Sequence, residues 1–187
     1  MAKIYIDQGH NPVNPNAGAE ANGYREQDLV YRIGVETADI LRRAGQEVRL
    51  SRPTPETQLG TSNASSLAAR VGDANSWGAD YFVSLHANAS DITSASGSEA
   101  FVFSLGGVAE ELADSILSSL SATVGSPNRG VFARPTLYVL RRTQMPATLV
   151  ELGFITNPEE AALMANEPRL YAEGVADGIL ELIYLRS

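Results

Sequence analysis

His10 and His86 are the only two histidines in this 187-residue chain. Each stands at the end of a short apolar run, Ile4-Tyr5-Ile6 for the first and Tyr81-Phe82-Val83-Ser84-Leu85 for the second. In open α/β sheets, ligands bind beyond the carboxyl ends of strands, so polar groups placed there are the first candidates for chemistry. Glu151 follows the run Ala147 to Val150 in the same way, and Glu26 lies where the chain starts its first helix and returns toward the same edge. Two neutral imidazoles with one carboxylate form a common catalytic zinc set that leaves one coordination position open. A single ligating glutamate leaves such a centre with a net charge of about +1, enough to bring the pKa of water in the open position to about 7. A second carboxylate, free of the metal, can take a proton from that water and later hand it to a leaving amine, and Glu151 suits that role. His10, Glu26 and His86 are separated by 16 and 60 residues, unlike compact zinc motifs, so only the fold can gather them.

Each residue also has a plainer reading. A histidine at a strand end is commonly a hydrogen-bonded polar residue, and a glutamate in a first helical turn is favoured by the macrodipole. Glu151 is flanked by Leu149-Val150 and Leu152-Gly153-Phe154. Burying it there unpaired is costly, so an ion pair with an arginine is its rival assignment. Arg129-Gly130 reads equally well as a surface turn. The two histidines stand out because both occupy the same kind of position.

The elements needed to position these groups are legible. Lys3 to Asp7 predicts a strand closed by the turn formers Gln8-Gly9-His10-Asn11-Pro12. Leu29, Ile33, Ile40 and Leu41 predict a helix starting around Arg25, with Gly45 as its stop, and Glu47 to Ser51 predicts the next strand. Leu67, Val71, Ala74 and Trp77 mark a second helix closed by Gly78, and Tyr81 to Leu85 a buried central strand. Ser98 to Phe103, Leu137 to Leu140 and Ala147 to Val150 are further strand candidates, with a helix through Val108, Leu112, Ile116 and Leu120. Asn157-Pro158-Glu159-Glu160 reads as an N-cap, a proline at the first helical position and a glutamate placed for a capping box. A terminal amphipathic helix runs through Tyr171, Val175, Ile179 and Leu182, with Asn166 as its cap. Strands alternating with helices predict an α/β fold, with a mostly parallel or mixed sheet of about six strands and helices on both faces. Residues 1–187 read as one catalytic domain, without repeats or an interdomain linker.

Composition narrows the function classes. With 44% hydrophobic and 19% charged residues the chain can bury a core. A formal charge of −8 opposes non-specific attraction to nucleic acid or anionic lipid, so neither is expected as a partner. The absence of cysteine excludes a disulfide scaffold, a thiol nucleophile and thiolate zinc ligands. No apolar stretch reaches membrane-spanning length, and Met1-Ala2-Lys3 leads straight into the first strand with no signal-peptide pattern.

Five segments, in order, resemble one known family: Ile6-Asp7-Gln8-Gly9-His10; Gly23-Tyr24-Arg25-Glu26; Ser84-Leu85-His86-Ala87-Asn88; Asn128-Arg129-Gly130-Val131; and Met145-Pro146-Ala147 through Val150-Glu151-Leu152-Gly153-Phe154 to Asn157. On these the chain resembles the catalytic domain of zinc-dependent N-acetylmuramoyl-L-alanine amidases, the Amidase_3 family, over residues 2 to 185. The resemblance implies one zinc ion held by His10, Glu26 and His86, and Glu151 as the catalytic acid and base. It also implies that Arg129 and Asn88 support substrate or Glu151 at the cleft. The implied reaction is hydrolysis of the amide between N-acetylmuramic acid and L-alanine in bacterial peptidoglycan, by a monomer acting outside the cytoplasm at the cell wall, with autolysin, germination or sporulation enzyme and phage endolysin all open as its source. The alternatives are a zinc peptidase cutting another bond of the stem peptide and a non-catalytic peptidoglycan-binding module. Where the family commonly has glycines after the first histidine, this chain has Asn11-Pro12. The loop from Asn88 to Ser98 is too short to hold the inhibitory helix that some members insert there.

Overall fold

In the computed structural model, which describes residues 1–186, the chain begins with β1 (Lys3–Gln8), then the small hairpin of β2 (Glu20–Ala21) and β3 (Tyr24–Arg25). It continues through α1 (Glu26–Arg43), β4 (Glu47–Leu50), α2 (Asn63–Trp77), β5 (Tyr81–Asn88) and β6 (Ser98–Val102). The second half comprises α3 (Val108–Val124), β7 (Asn128–Ala133), α4 (Tyr138–Arg142), β8 (Ala147–Phe154), α5 (Pro158–Asn166) and α6 (Pro168–Leu185). The main sheet has six strands in the order β4-β1-β5-β8-β6-β7. All its pairs are parallel except β6 with β8, so the sheet is mixed, as the alternating pattern predicts.

The period of two along the strands decides which layer each side chain meets. Ile4, Ile6, Val83, Leu85, Val150 and Leu152 are buried in the larger core, which α1, α3 and α6 complete. Tyr5, Phe82, Ala147 and Leu149 have the opposite phase and pack in a smaller core with Val71 and Ala74 of α2 and Val139 and Leu140 of α4. Each fully buried aliphatic or aromatic side chain contributes about 1.5–3 kcal/mol of transfer free energy. The phase is therefore strongly specified, since a one-residue slip would turn a whole apolar row to the wrong side. Asp7, Ser84, His86 and Glu151 share the phase of the smaller core and continue its rows toward the carboxyl ends of the strands.

Several elements differ from expectation. Strands β5 and β8 run on through Asn88 and Phe154, so His86 and Glu151 lie within strands rather than just past them. Leu137 to Leu140 is not a strand; it leads into α4, whose Val139 and Leu140 are buried. Periodicity cannot separate a strand from a helical turn in so short an apolar run. Arg129-Gly130, read as a surface turn, lies within the edge strand β7, which is mostly exposed and lacks the alternation that marks a half-buried strand. Asn157 caps α5 as expected, accepting from the Glu159 and Glu160 N–H groups. The Glu160 carboxylate, however, accepts from Gly97 and Phe154 N–H instead of closing a capping box. Asn166 ends α5, and Glu167 stands at the N-cap of α6.

Candidate active site

Three segments far apart in sequence meet at the carboxyl ends of β1 and β5. After β1 the Gly9 N–H donates to the Leu85 carbonyl at 3.0 Å, tying the loop to β5. His10 then adopts φ +66°, a left-handed conformation uncommon for a residue with a side chain. Its Nε2 lies 3.1 Å from Glu26 Oε1. Glu26 opens α1, and the hairpin of β2 and β3 delivers it. Its backbone N–H donates to the Ala19 carbonyl at 2.9 Å, and its Oε2 accepts from the Ala19 N–H at 3.0 Å. Oε1 accepts from the Ala87 N–H at 3.0 Å and lies 3.1 Å from His86 Nδ1. The two imidazoles meet edge to face, with ring centroids 4.8 Å apart.

Among the described residues, His10, Glu26 and His86 can each aim one donor atom so that all three lie within 4.8 Å of one another. Ligand bonds of about 2.0–2.1 Å around a tetrahedral ion place neighbouring donors about 3.3 Å apart. The two nitrogen-to-oxygen separations of 3.1 Å fit that spacing. Burial alone would push the Glu26 carboxyl up, but hydrogen bonds and charge from both histidines hold it well below the ordinary carboxylate range. It therefore stays anionic between the two imidazoles.

Glu151 is the register partner of His86 on the neighbouring parallel strand, so the two side chains share a face. The pairing shifts at a bulge between His86 and Asn88, an irregularity typical of sites where a strand re-aims its side chains. Among the described residues Glu151 makes no ion pair with an arginine, and its Oε2 is buried without a hydrogen-bond partner. Burial first, then the charges of Glu26 and Glu99, push its carboxyl up to about 8. A buried carboxyl with one free oxygen beside a cluster of donor atoms is suited to proton transfer at neutral pH.

Arg129 and Asn88 converge on a residue not singled out from the sequence. Glu99 of β6 accepts from Asn88 Nδ2 at 2.7 Å and from Arg129 Nε at 3.2 Å, and it lies opposite Glu151 in the antiparallel pair. Arg129 also donates to the Ser96 carbonyl at 3.1 Å and stacks on the Phe154 ring at 5.1 Å. The arginine thus pairs with Glu99 instead of Glu151 and braces the rim. A carboxylate inside the apolar run Ser98 to Val102 was the available signal for Glu99.

Two glycines allow this convergence. A Cβ on Gly9 would lie 2.6 Å from His86 Cε1 and 2.7 Å from the Leu85 carbonyl oxygen; one on Gly18 would lie 2.7 Å from Glu26 Oε2 and 2.9 Å from His10 Cδ2. Gly9→Ala should displace His86 while leaving both cores intact. The expected result is a 10- to 100-fold loss of divalent-ion affinity, on the scale of lost outer-sphere support. Metal content after dialysis, with circular dichroism to verify folding, checks it.

Residues 4–181 match the Amidase_3 family, described as N-acetylmuramoyl-L-alanine amidase. The chain is 34% identical over 184 residues to the N-acetylmuramoyl-L-alanine amidase CwlM of Bacillus licheniformis, covering 96% of this chain and 68% of that protein. It is 33% identical over 178 residues to the amidase LytC of Bacillus subtilis strain 168, covering 94% of this chain but 34% of LytC. The crystal structure of N-acetylmuramoyl-L-alanine amidase from Clostridium difficile 630 superimposes with a TM-score of 0.87 at 31% identity, over 100% of this chain and 98% of that one.

Proposed function

The chain belongs to the Amidase_3 family of N-acetylmuramoyl-L-alanine amidases, and from that premise we propose that it hydrolyses the bond between N-acetylmuramic acid and L-alanine in peptidoglycan with one zinc ion. His10, Glu26 and His86 would hold the ion, and Glu151 would move the proton. The observation that carries this reading is the convergence of two imidazoles and a carboxylate beside a second, unpartnered carboxylate oxygen. When bound, zinc supplies Lewis acidity toward the scissile carbonyl and the charge that builds on its oxygen.

The remaining work falls to the chain itself. Glu151 accepts a proton from the attacking water as the new carbon–oxygen bond forms at the lactyl carbonyl. It then delivers that proton to the alanine nitrogen as the carbon–nitrogen bond breaks, leaving a lactyl carboxylate and a free amine. No covalent intermediate with the protein is required. Glu99, held by Asn88 and Arg129, flanks Glu151 across the antiparallel pair. The low exposure of Glu26, whose side chain is 6% accessible, keeps its charge directed at the two histidines. The substrate places the activity at the cell wall, outside the cytoplasm. None of the helices among the described residues is long and apolar enough to cross a membrane.

Mass spectrometry of purified peptidoglycan after digestion tests the bond assignment. The expected product is an intact stem peptide with a free alanine amino terminus, together with glycan carrying free lactyl carboxyl groups. Shortened stem peptides still attached to glycan would instead identify a peptidase, and undigested wall a binding module.

A further inference from the structure

We propose that Arg70 of α2 is a positioning residue for the metal centre, holding His10 in its ligating conformation through the His10 carbonyl. This rests on the zinc reading above. Arg70 is 1% exposed. Its Nη1 donates to Asp7 Oδ1 and to the Gln8 carbonyl, both at 2.6 Å. Its Nη2 donates to the His10 carbonyl at 2.5 Å and to Asn11 Oδ1 at 3.3 Å. Asp7 is tied on its other oxygen to Ser84 Oγ at 2.7 Å, and Ser84 lies two residues before His86 on β5. One planar guanidinium therefore ties the end of β1 to the loop carrying His10, and Asp7 relays the contact to β5.

The need for such a clamp follows from the backbone. His10 sits at φ +66°, a conformation a residue with a Cβ keeps only when its surroundings impose it. The Gln8 carbonyl that Nη1 holds and the His10 carbonyl that Nη2 holds flank the Gly9–His10 peptide, so one guanidinium fixes the backbone on both sides of the residue that carries the ring. Asn11 reinforces the grip, since its Oδ1 also accepts from the Leu59 N–H at 3.1 Å. The two arms of the guanidinium separate the roles: Nη1 serves the buried ion pair, and Nη2 serves the loop. Groups that orient metal ligands from behind have measurable effects on affinity.

Arg70→Lys distinguishes positioning from mere stability. An ammonium can remain with Asp7 and the Gln8 carbonyl, but a single nitrogen cannot also span to the His10 carbonyl. The metal-free variant should fold, bind zinc about 10- to 100-fold more weakly in chelator competition, and show altered visible bands with cobalt in place of zinc. Asp7→Asn combined with Arg70→Gln removes both buried charges together, which is far less disruptive than removing one. It likewise leaves the His10 carbonyl without its donor, and is read the same way should the lysine variant not fold. A melting temperature lowered in Arg70→Lys with wild-type zinc affinity and cobalt bands would overturn the role of Arg70 alone. Wild-type protein that takes up no zinc would overturn the metal reading, and this inference with it.

Discussion

Glu151→Gln should keep stoichiometric zinc and lose turnover on purified cell walls by about 10²- to 10⁴-fold, the range for removing a positioned general acid and base. The substitution preserves volume and removes only the ionisable group, so the buried row of β8 beneath it is undisturbed. The pH dependence has a definite sign. Work as a base requires the ionised carboxylate, so activity should rise with pH through the Glu151 pKa. That pKa is pushed up to about 8 in the metal-free protein, by burial and by the charges of Glu26 and Glu99. A nearby dication favours the ionised form and brings it down. The acidic limb of the wild-type pH–rate profile should therefore lie below pH 8 and be missing from the residual activity of the variant. Wild-type turnover in Glu151→Gln, or an unchanged acidic limb, would remove Glu151 from the mechanism.

Glu26→Gln should abolish stoichiometric zinc binding and leave activity no higher than that of chelator-treated wild type. The amide keeps the shape but loses the anionic donor. Its NH₂ must also face one of the backbone N–H groups, Ala19 or Ala87, that the carboxylate accepts from. The loss of metal affinity should exceed the 10- to 100-fold typical of groups behind the ligands. A second consequence concerns acid stability. The Glu26 carboxyl is held below its ordinary value in the folded protein. It therefore contributes stability that is present above the unfolded value of about 4.3 and lost as pH falls through the folded one. Acid titration of metal-free protein should show a shallower loss of stability for Glu26→Gln below about pH 4 than for wild type. Retention of tightly bound zinc by this variant would mean that the ligand set is drawn wrongly.

Much of this site is visible along the chain because strand periodicity carries it. Asp7, Ser84, His86 and Glu151 each fall in the phase of Tyr5, Phe82 and Leu149, so their sharing of one face follows from alternation. The Glu26 helix start was equally legible, although helix propensity says nothing of which strand end that helix begins against. Arg70 left a signal that went unread: a cation at helical spacing from Leu67 and Ala74, on the stripe that faces the sheet. Glu99 and the edge strand β7 were missed for a different reason. The exposed edge has no buried face to impose a pattern, and the partners of Glu99 are fixed by an antiparallel register that local sequence does not encode.

By itself, then, the amino-acid order determined the layers, the faces and the small inventory of groups able to do metal chemistry: two imidazoles, a few buried-run carboxylates and no thiol. Only the tertiary structure decided which of those groups meet. It put Glu26 between the two histidines, left one oxygen of Glu151 without a partner, and turned Arg129 toward Glu99. The physical reason is range: hydrophobic alternation acts over a few residues. The 3.1 Å spacings at the centre depend on crossovers, a bulge and a left-handed histidine, which no short segment specifies alone.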